Sequence, residues 1–117
     1  MTRLWKAFLN TLNGLGWALR HEQAVREEFA VFALALPLSF FVAASVGWWL
    51  ALIGSLMALI IVELLNTAIE KLSDRLTTDH DLQIGRVKDM GSAAVGVALV
   101  TAGLFWLFAI AERMGVI

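Results

Sequence analysis

The sequence predicts an all-α, polytopic membrane protein: three transmembrane helices preceded by an N-terminal amphipathic helix lying in the membrane interface. Three observations carry this. Apolar residues fill 60% of the 117 positions and charged residues only 16%, well below the roughly 25% charge usual for soluble domains; mean hydropathy is +0.78. Charges are absent from residues 29–62 and again from 90–111, whereas one helical span needs about 20 apolar residues. Between these runs, at 60–74 (IIVELLNTAIEKLSD), an apolar helical pattern acquires acids.

The composition also sets limits. The absence of cysteine excludes disulfides, thiolate metal sites and cysteine nucleophiles. A formal charge of −1 with no basic run gives no reason to expect a nucleic-acid partner. The length suits a single membrane-embedded domain over 1–117. The charged, amphipathic start does not resemble a signal peptide.

The amphipathic surface helix is expected over 2–27. Leu4, Trp5, Phe8, Leu9, Leu12, Leu15 and Leu19 share one face, and Arg3, Lys6, Asn10 and Asn13 lie largely on the other. This suits an interfacial helix, with packing on other helices as the alternative. Gly14 and Gly16 are candidate bends. The densest charge cluster, RHEQAVREE at 20–28, stops abruptly at Phe29.

The first charge-free run is long enough for two helices. We place TM1 at 29–46 and the break at Ser45-Val46-Gly47, where glycine favours a turn and Trp48 and Trp49 suit an aromatic belt. Pro37 is expected to kink TM1. TM2, at 48–75, is too long to stay in hydrocarbon, so its acidic end should emerge into the cytoplasmic interface. Residues 77–87 read as a loop punctuated by Gly85. TM3 follows at 89–112, and its Gly91, Ser92, Ala93, Ala94 and Gly96 suit close helix contact in lipid. Four Lys/Arg precede TM1 (Arg3, Lys6, Arg20, Arg26), four cluster between TM2 and TM3 (Lys71, Arg75, Arg86, Lys88), and none lies in the first turn. The positive-inside rule then puts the N-terminus and the acids on the cytoplasmic side.

Glu63, Asn66, Glu70 and Asp74 are spaced i, i+3, i+7, i+11 and so share one helical stripe. An ionisable residue at the centre of a span costs roughly 2.5–3.5 kcal/mol on insertion scales, which makes such a stripe a functional-site hypothesis. The topology brings 20–28, 63–74 and 86–89 to one membrane face. Carboxylates beside Lys and Arg suit a hard cation such as Mg²⁺ and its phosphates, with a lysine as point donor to phosphoryl oxygens. Glu63 lies deepest, with no cation next to it in sequence, and its depth suits a proton acceptor. Each residue has a plainer reading. Glu22, Glu27 and Glu28 could be solvated charges paired with Arg20 and Arg26; Lys71 and Arg75 read as snorkelling anchors; Asp79, His80 and Asp81 read as solvated loop. Neither G-x-x-x-x-G-K-[ST] nor G-x-G-x-x-G is present, so residue chemistry alone reaches an acidic, divalent-metal site and no substrate. A stripe of intramembrane acids would also serve a small ion or proton conductor, and a non-catalytic assembly subunit is a third class.

ELLNTAIE at 63–70, followed by Asp74 and by KDMGSAAV at 88–95, resembles the signature of the prokaryotic diacylglycerol kinase family, and the likeness extends over nearly the whole chain. The resemblance implies a homotrimeric helical bundle in the bacterial inner (cytoplasmic) membrane, with active sites between subunits at the cytoplasmic face. It implies transfer of phosphate from MgATP to the free hydroxyl of diacylglycerol, giving phosphatidic acid in phospholipid recycling. By position, Glu63 would be the general base and Glu22 and Glu70 the Mg²⁺ ligands, supported by Asn66. Lys88 would meet the ATP phosphates, and Asp89, Asp74 and Arg3 would help to form the nucleotide pocket. Glu28 and Ser92 would lie towards the lipid. The departures are Asp81 where relatives often carry histidine, Val87 in place of alanine, and Pro37. Undecaprenol kinase, a member of the same family, is the alternative for the acceptor; the region 20–29 looks more like the diacylglycerol-using branch.

Overall fold

The computed structural model describes residues 2–117. They form four α-helices, α1 (Thr2–His21), α2 (Gln23–Val42), α3 (Val46–Leu76) and α4 (Leu82–Arg113), with no strand among the described residues. α3 is the central helix: α2 packs on one side of it and α4 folds back along it through the short connection 77–81. The result is a slab of 52 × 42 × 22 Å, about two helix diameters thick.

Local chemistry fixes the helix ends. Ser45 caps α3 by accepting from Trp48 N at 3.1 Å, and Asp81 caps α4 by accepting from Ile84 N at 3.0 Å. The helix expected over 2–27 is instead divided at Glu22, whose backbone is extended (φ −117°, ψ 113°). Arg26 holds the corner, its Nη1 donating to the Leu19 and Arg20 carbonyls at 3.1 Å each. A cation there satisfies carbonyls that the end of α1 leaves free and complements its dipole. Among the described residues neither Arg20 nor Arg26 forms an ion pair with the neighbouring glutamates; Gln23 Nε2 donates to Glu27 Oε1 at 2.8 Å.

Other boundaries also shift. α1 continues through Gly14 and Gly16, and α2 continues through Pro37. The loop expected at 77–87 is shorter, because α4 begins at Leu82 and absorbs Gly85. Both α3 and α4 are long and apolar enough to cross a membrane. The charge-free part of α2, residues 29–42, is roughly 21 Å long at the helical rise, shorter than a hydrocarbon core of about 30 Å.

Little apolar surface is buried within the chain. Ala35, Leu56 and Ala102, one from each of α2, α3 and α4, form the core cluster, flanked by Phe32 and Trp106. Leu34, Phe41, Leu65, Leu72, Val97 and Leu107 are all more than half exposed. Exposed apolar faces of this extent call for lipid or further protein around them. α1 behaves similarly: its Leu4, Trp5, Phe8, Leu9 and Leu12 are exposed, and only Ala18 near its C-terminal end is buried.

Candidate active site

The acidic stripe of α3 enters the protein at one end and leaves it at the other. Glu63 is 7% exposed and Asn66 9%, whereas Glu70 and Asp74, one and two turns further on, are exposed. The helical period puts these four on one face, and α2 and α4 cover only the deeper half.

Three further carboxylates bear on Glu63. Glu28, Glu22 and Glu70 lie close enough to repel its charge. The extended backbone at Glu22 lets the α1–α2 corner present one of these and the first turns of α2 present another. Glu28 is half-buried and its Oε2 has no hydrogen-bond partner among the described residues. Burial, with the Glu63 charge adding to it, pushes the Glu28 carboxyl up to about 7. Glu22 is engaged differently: its Oε1 forms an ion pair with Lys71 Nζ at 2.8 Å. Lys71 thus has a protein partner as well as an interface to reach.

α4 contributes through two residues one turn apart. Lys88 Nζ pairs with Asp74 Oδ1, joining the exposed end of the stripe to the start of α4. Gly91 abuts Asn66 so closely that a Cβ there would collide with Asn66 Oδ1. Asn66 Nδ2 reaches Glu70 Oε1 at 3.4 Å, and Oδ1 is buried without a hydrogen-bond partner among the described residues. Glycine at 91 is what allows this helix approach.

One chain thus gathers Glu22, Glu28, Glu63, Asn66 and Glu70, with Asp74 and Lys88 at the rim. Asp89 and Ser92 are exposed on α4, and their side chains make no hydrogen bond or ion pair among the described residues. Arg3 is exposed near the start of α1, roughly 27 Å along the helix from its C-terminal end. Two residues in this arrangement escaped the sequence reading. Lys71 looks like an anchor until its partner at the α1–α2 corner is seen, and Gly91 looks like any small residue in a span.

No group of three His, Cys, Asp or Glu side chains among the described residues forms a ready-made cation site. Glu22, Glu70 and the Asn66 amide offer hard oxygens that, with water and phosphate oxygens, match what Mg²⁺ takes; a site for a softer metal would need nitrogen or sulfur.

Comparison with known proteins supplies the context for this geometry. The sequence profile described as prokaryotic diacylglycerol kinase matches residues 9–110. The chain is 35% identical over 106 residues to a diacylglycerol kinase of Haemophilus influenzae, covering 91% of this chain and 90% of that one. It is 36% identical over 114 residues to the Escherichia coli K12 diacylglycerol kinase, covering 97% and 93%. With that of Pseudomonas aeruginosa it shares 34% over 106 residues, covering 91% and 86%. A match running from α1 to the last turns of α4 takes in every helix that builds the acidic cluster, and this chain belongs to the prokaryotic diacylglycerol kinase family.

Proposed function

We propose that this protein phosphorylates diacylglycerol with MgATP, forming phosphatidic acid at the cytoplasmic face of the bacterial inner membrane and so returning the lipid to phospholipid synthesis. The observation that carries the reading is the gradient along α3, from buried Glu63 to exposed Asp74, in a chain whose relatives are named diacylglycerol kinases. A lipid hydroxyl comes from the membrane and a nucleotide from water, and the stripe offers an acid to each.

In this mechanism Glu63 accepts the proton of the lipid hydroxyl as its oxygen bonds to the γ-phosphorus. The bond from that phosphorus to the bridging oxygen breaks, and ADP leaves. Glu22 and Glu70 would hold the metal, and Asn66 orients Glu70. Bound Mg²⁺ would draw negative charge from the β- and γ-phosphates as the transferred group loosens. Lys88 meets the phosphates, while Asp74, Asp89 and Arg3 shape the nucleotide pocket. Glu28 and Ser92 lie towards the glycerol end of the lipid. α2 serves as a third span whose short apolar stretch keeps Glu28 at the interface, and α1 lies along the membrane surface. Three copies form a trimer with sites between subunits, and the N-terminus is cytoplasmic.

The test is ADP release by purified protein with MgATP, run in parallel on diacylglycerol and undecaprenol. Faster turnover of diacylglycerol is expected. Faster turnover of undecaprenol would overturn the choice of acceptor, and no ADP with either would overturn the kinase assignment. Within the same assay, Glu70→Gln should raise the Mg²⁺ concentration needed for half-maximal rate by on the order of tenfold, about one charged-ligand contact. An unchanged Mg²⁺ titration would count against Glu70 as a ligand.

A further inference from the structure

We propose that Lys71 is a tethered cation that occupies the metal-binding carboxylate until a divalent ion displaces it. The inference rests on the assignment of Glu22 as a metal ligand. Lys71 Nζ lies 2.8 Å from Glu22 Oε1, and this ion pair is what neutralises an oxygen buried without a hydrogen bond among the described residues. The side chain of Glu22 is 20% exposed and that of Lys71 55%. The acid is therefore fixed in the protein while the base hangs from a flexible stem that solvent can receive. Nζ also stands 5.8 Å from the centre of the Trp17 ring, within the range of a cation–π contact, which steadies it at the α1–α2 corner.

Lys71 follows Glu70 directly in α3, so its charge is delivered beside the second proposed ligand. A divalent cation held by Glu22 and Glu70 would stand beside the ammonium that pairs with Glu22 Oε1, and the two positive charges repel at that range. Binding the metal therefore favours release of Lys71 from Glu22, and the ammonium competes with the metal for as long as it stays. The pair keeps a cluster of acids from standing wholly uncompensated in the free enzyme. It also sets a threshold that a weakly bound divalent ion has to exceed. Lys71 acts through Glu22 and is a positioning residue, not a catalytic one.

The test is binding of Mn²⁺ to the purified trimer without nucleotide or lipid, the free ion being followed by electron paramagnetic resonance. Lys71→Met removes the ammonium and keeps the stem; Lys71→Gln is a second neutral variant if the first loses its helical fold. Either should bind Mn²⁺ at least about threefold more tightly than the unmodified protein, the scale of one solvent-exposed ion pair, whereas Lys71→Arg should bind it as the unmodified protein does. Equal or weaker Mn²⁺ binding by both neutral variants, with Glu22→Gln still weakening it, would overturn the competition. If Glu22→Gln leaves Mn²⁺ binding unchanged, the metal assignment itself fails and the role of Lys71 with it.

Discussion

Glu63 lies where three other carboxylates press on it, with no cation paired to it among the described residues. A structural acid in that position would be expected to have a lysine or arginine. An acid kept for proton transfer is better without one, because a fixed cation would hold it ionised and weaken it as a base. Glu63→Gln keeps the shape and removes the proposed base. It should lower kcat by about a hundredfold or more with helical content retained by circular dichroism, and substantial residual kcat would remove Glu63 from the role. Gly91 allows a second test. An added Cβ would force Asn66 away from its place beside Glu70. Because only the end of a side chain need move, Gly91→Ala should fold, yet lose on the order of tenfold in kcat/KM for MgATP, the equivalent of about 1.4 kcal/mol of lost positioning. An unchanged kcat/KM would show that the orientation of Asn66 is immaterial. Glu28 gives a pH signature. Its carboxyl sits at about 7 in the folded protein against an ordinary 4.5, so the native state holds a proton that the unfolded chain has already released. Stability should therefore fall as pH rises from about 4.5 to about 7. Thermal unfolding in detergent should show this slope and Glu28→Gln should flatten it; an equal slope in both would assign it elsewhere.

At the scale of helices, what the sequence makes legible is what periodicity and composition control. The stripe on α3, the apolar lengths of α3 and α4 and the proximity of the charged segments all follow from 3.6-residue spacing and from where charges stop. The break at Glu22 does not, because no glycine or proline marks it. It depends on Arg26 reaching back to the Leu19 and Arg20 carbonyls and on Lys71 reaching over from α3, contacts that exist only once the helices have packed. Gly85 falls to the helix for the converse reason: Asp81 caps α4, and Gly85 N closes its first turn by donating to the Asp81 carbonyl at 2.8 Å. The Lys88–Asp74 pair belongs to this scale too, since it ties the end of α3 to the start of α4. Both side chains are more than a third exposed, so as a strut the pair is worth no more than about 1 kcal/mol. If Lys88 serves the ATP phosphates, Lys88→Met should change unfolding by less than that while raising KM for ATP by at least about tenfold. A variant that loses stability and keeps its KM would make Lys88 a strut only.

The whole molecule raises a problem that one chain does not solve. Its helices expose long apolar faces, its site is open on the α3 face, and Arg3 stands at the far end of α1 from the corner that carries Glu22. In a single copy, an arginine some 27 Å along the helix from that corner would have to fold back to reach the acids, whereas α1 is one continuous helix. The proposed trimer would remove the difficulty: the outlying α1 of one copy would reach the open side of the next, and symmetry would make all three sites alike. Mixing subunits tests this. Arg3→Ala and Glu63→Gln protomers, each inactive alone, would be unfolded together and reassembled in equal amounts. If a site takes Glu63 from one copy and Arg3 from its neighbour, about one site in four receives both intact residues by chance, and activity should return to about a quarter of that of the unmodified protein. If both residues belong to the same copy, no reassembled site can be whole, and the mixture should stay as inactive as its parents.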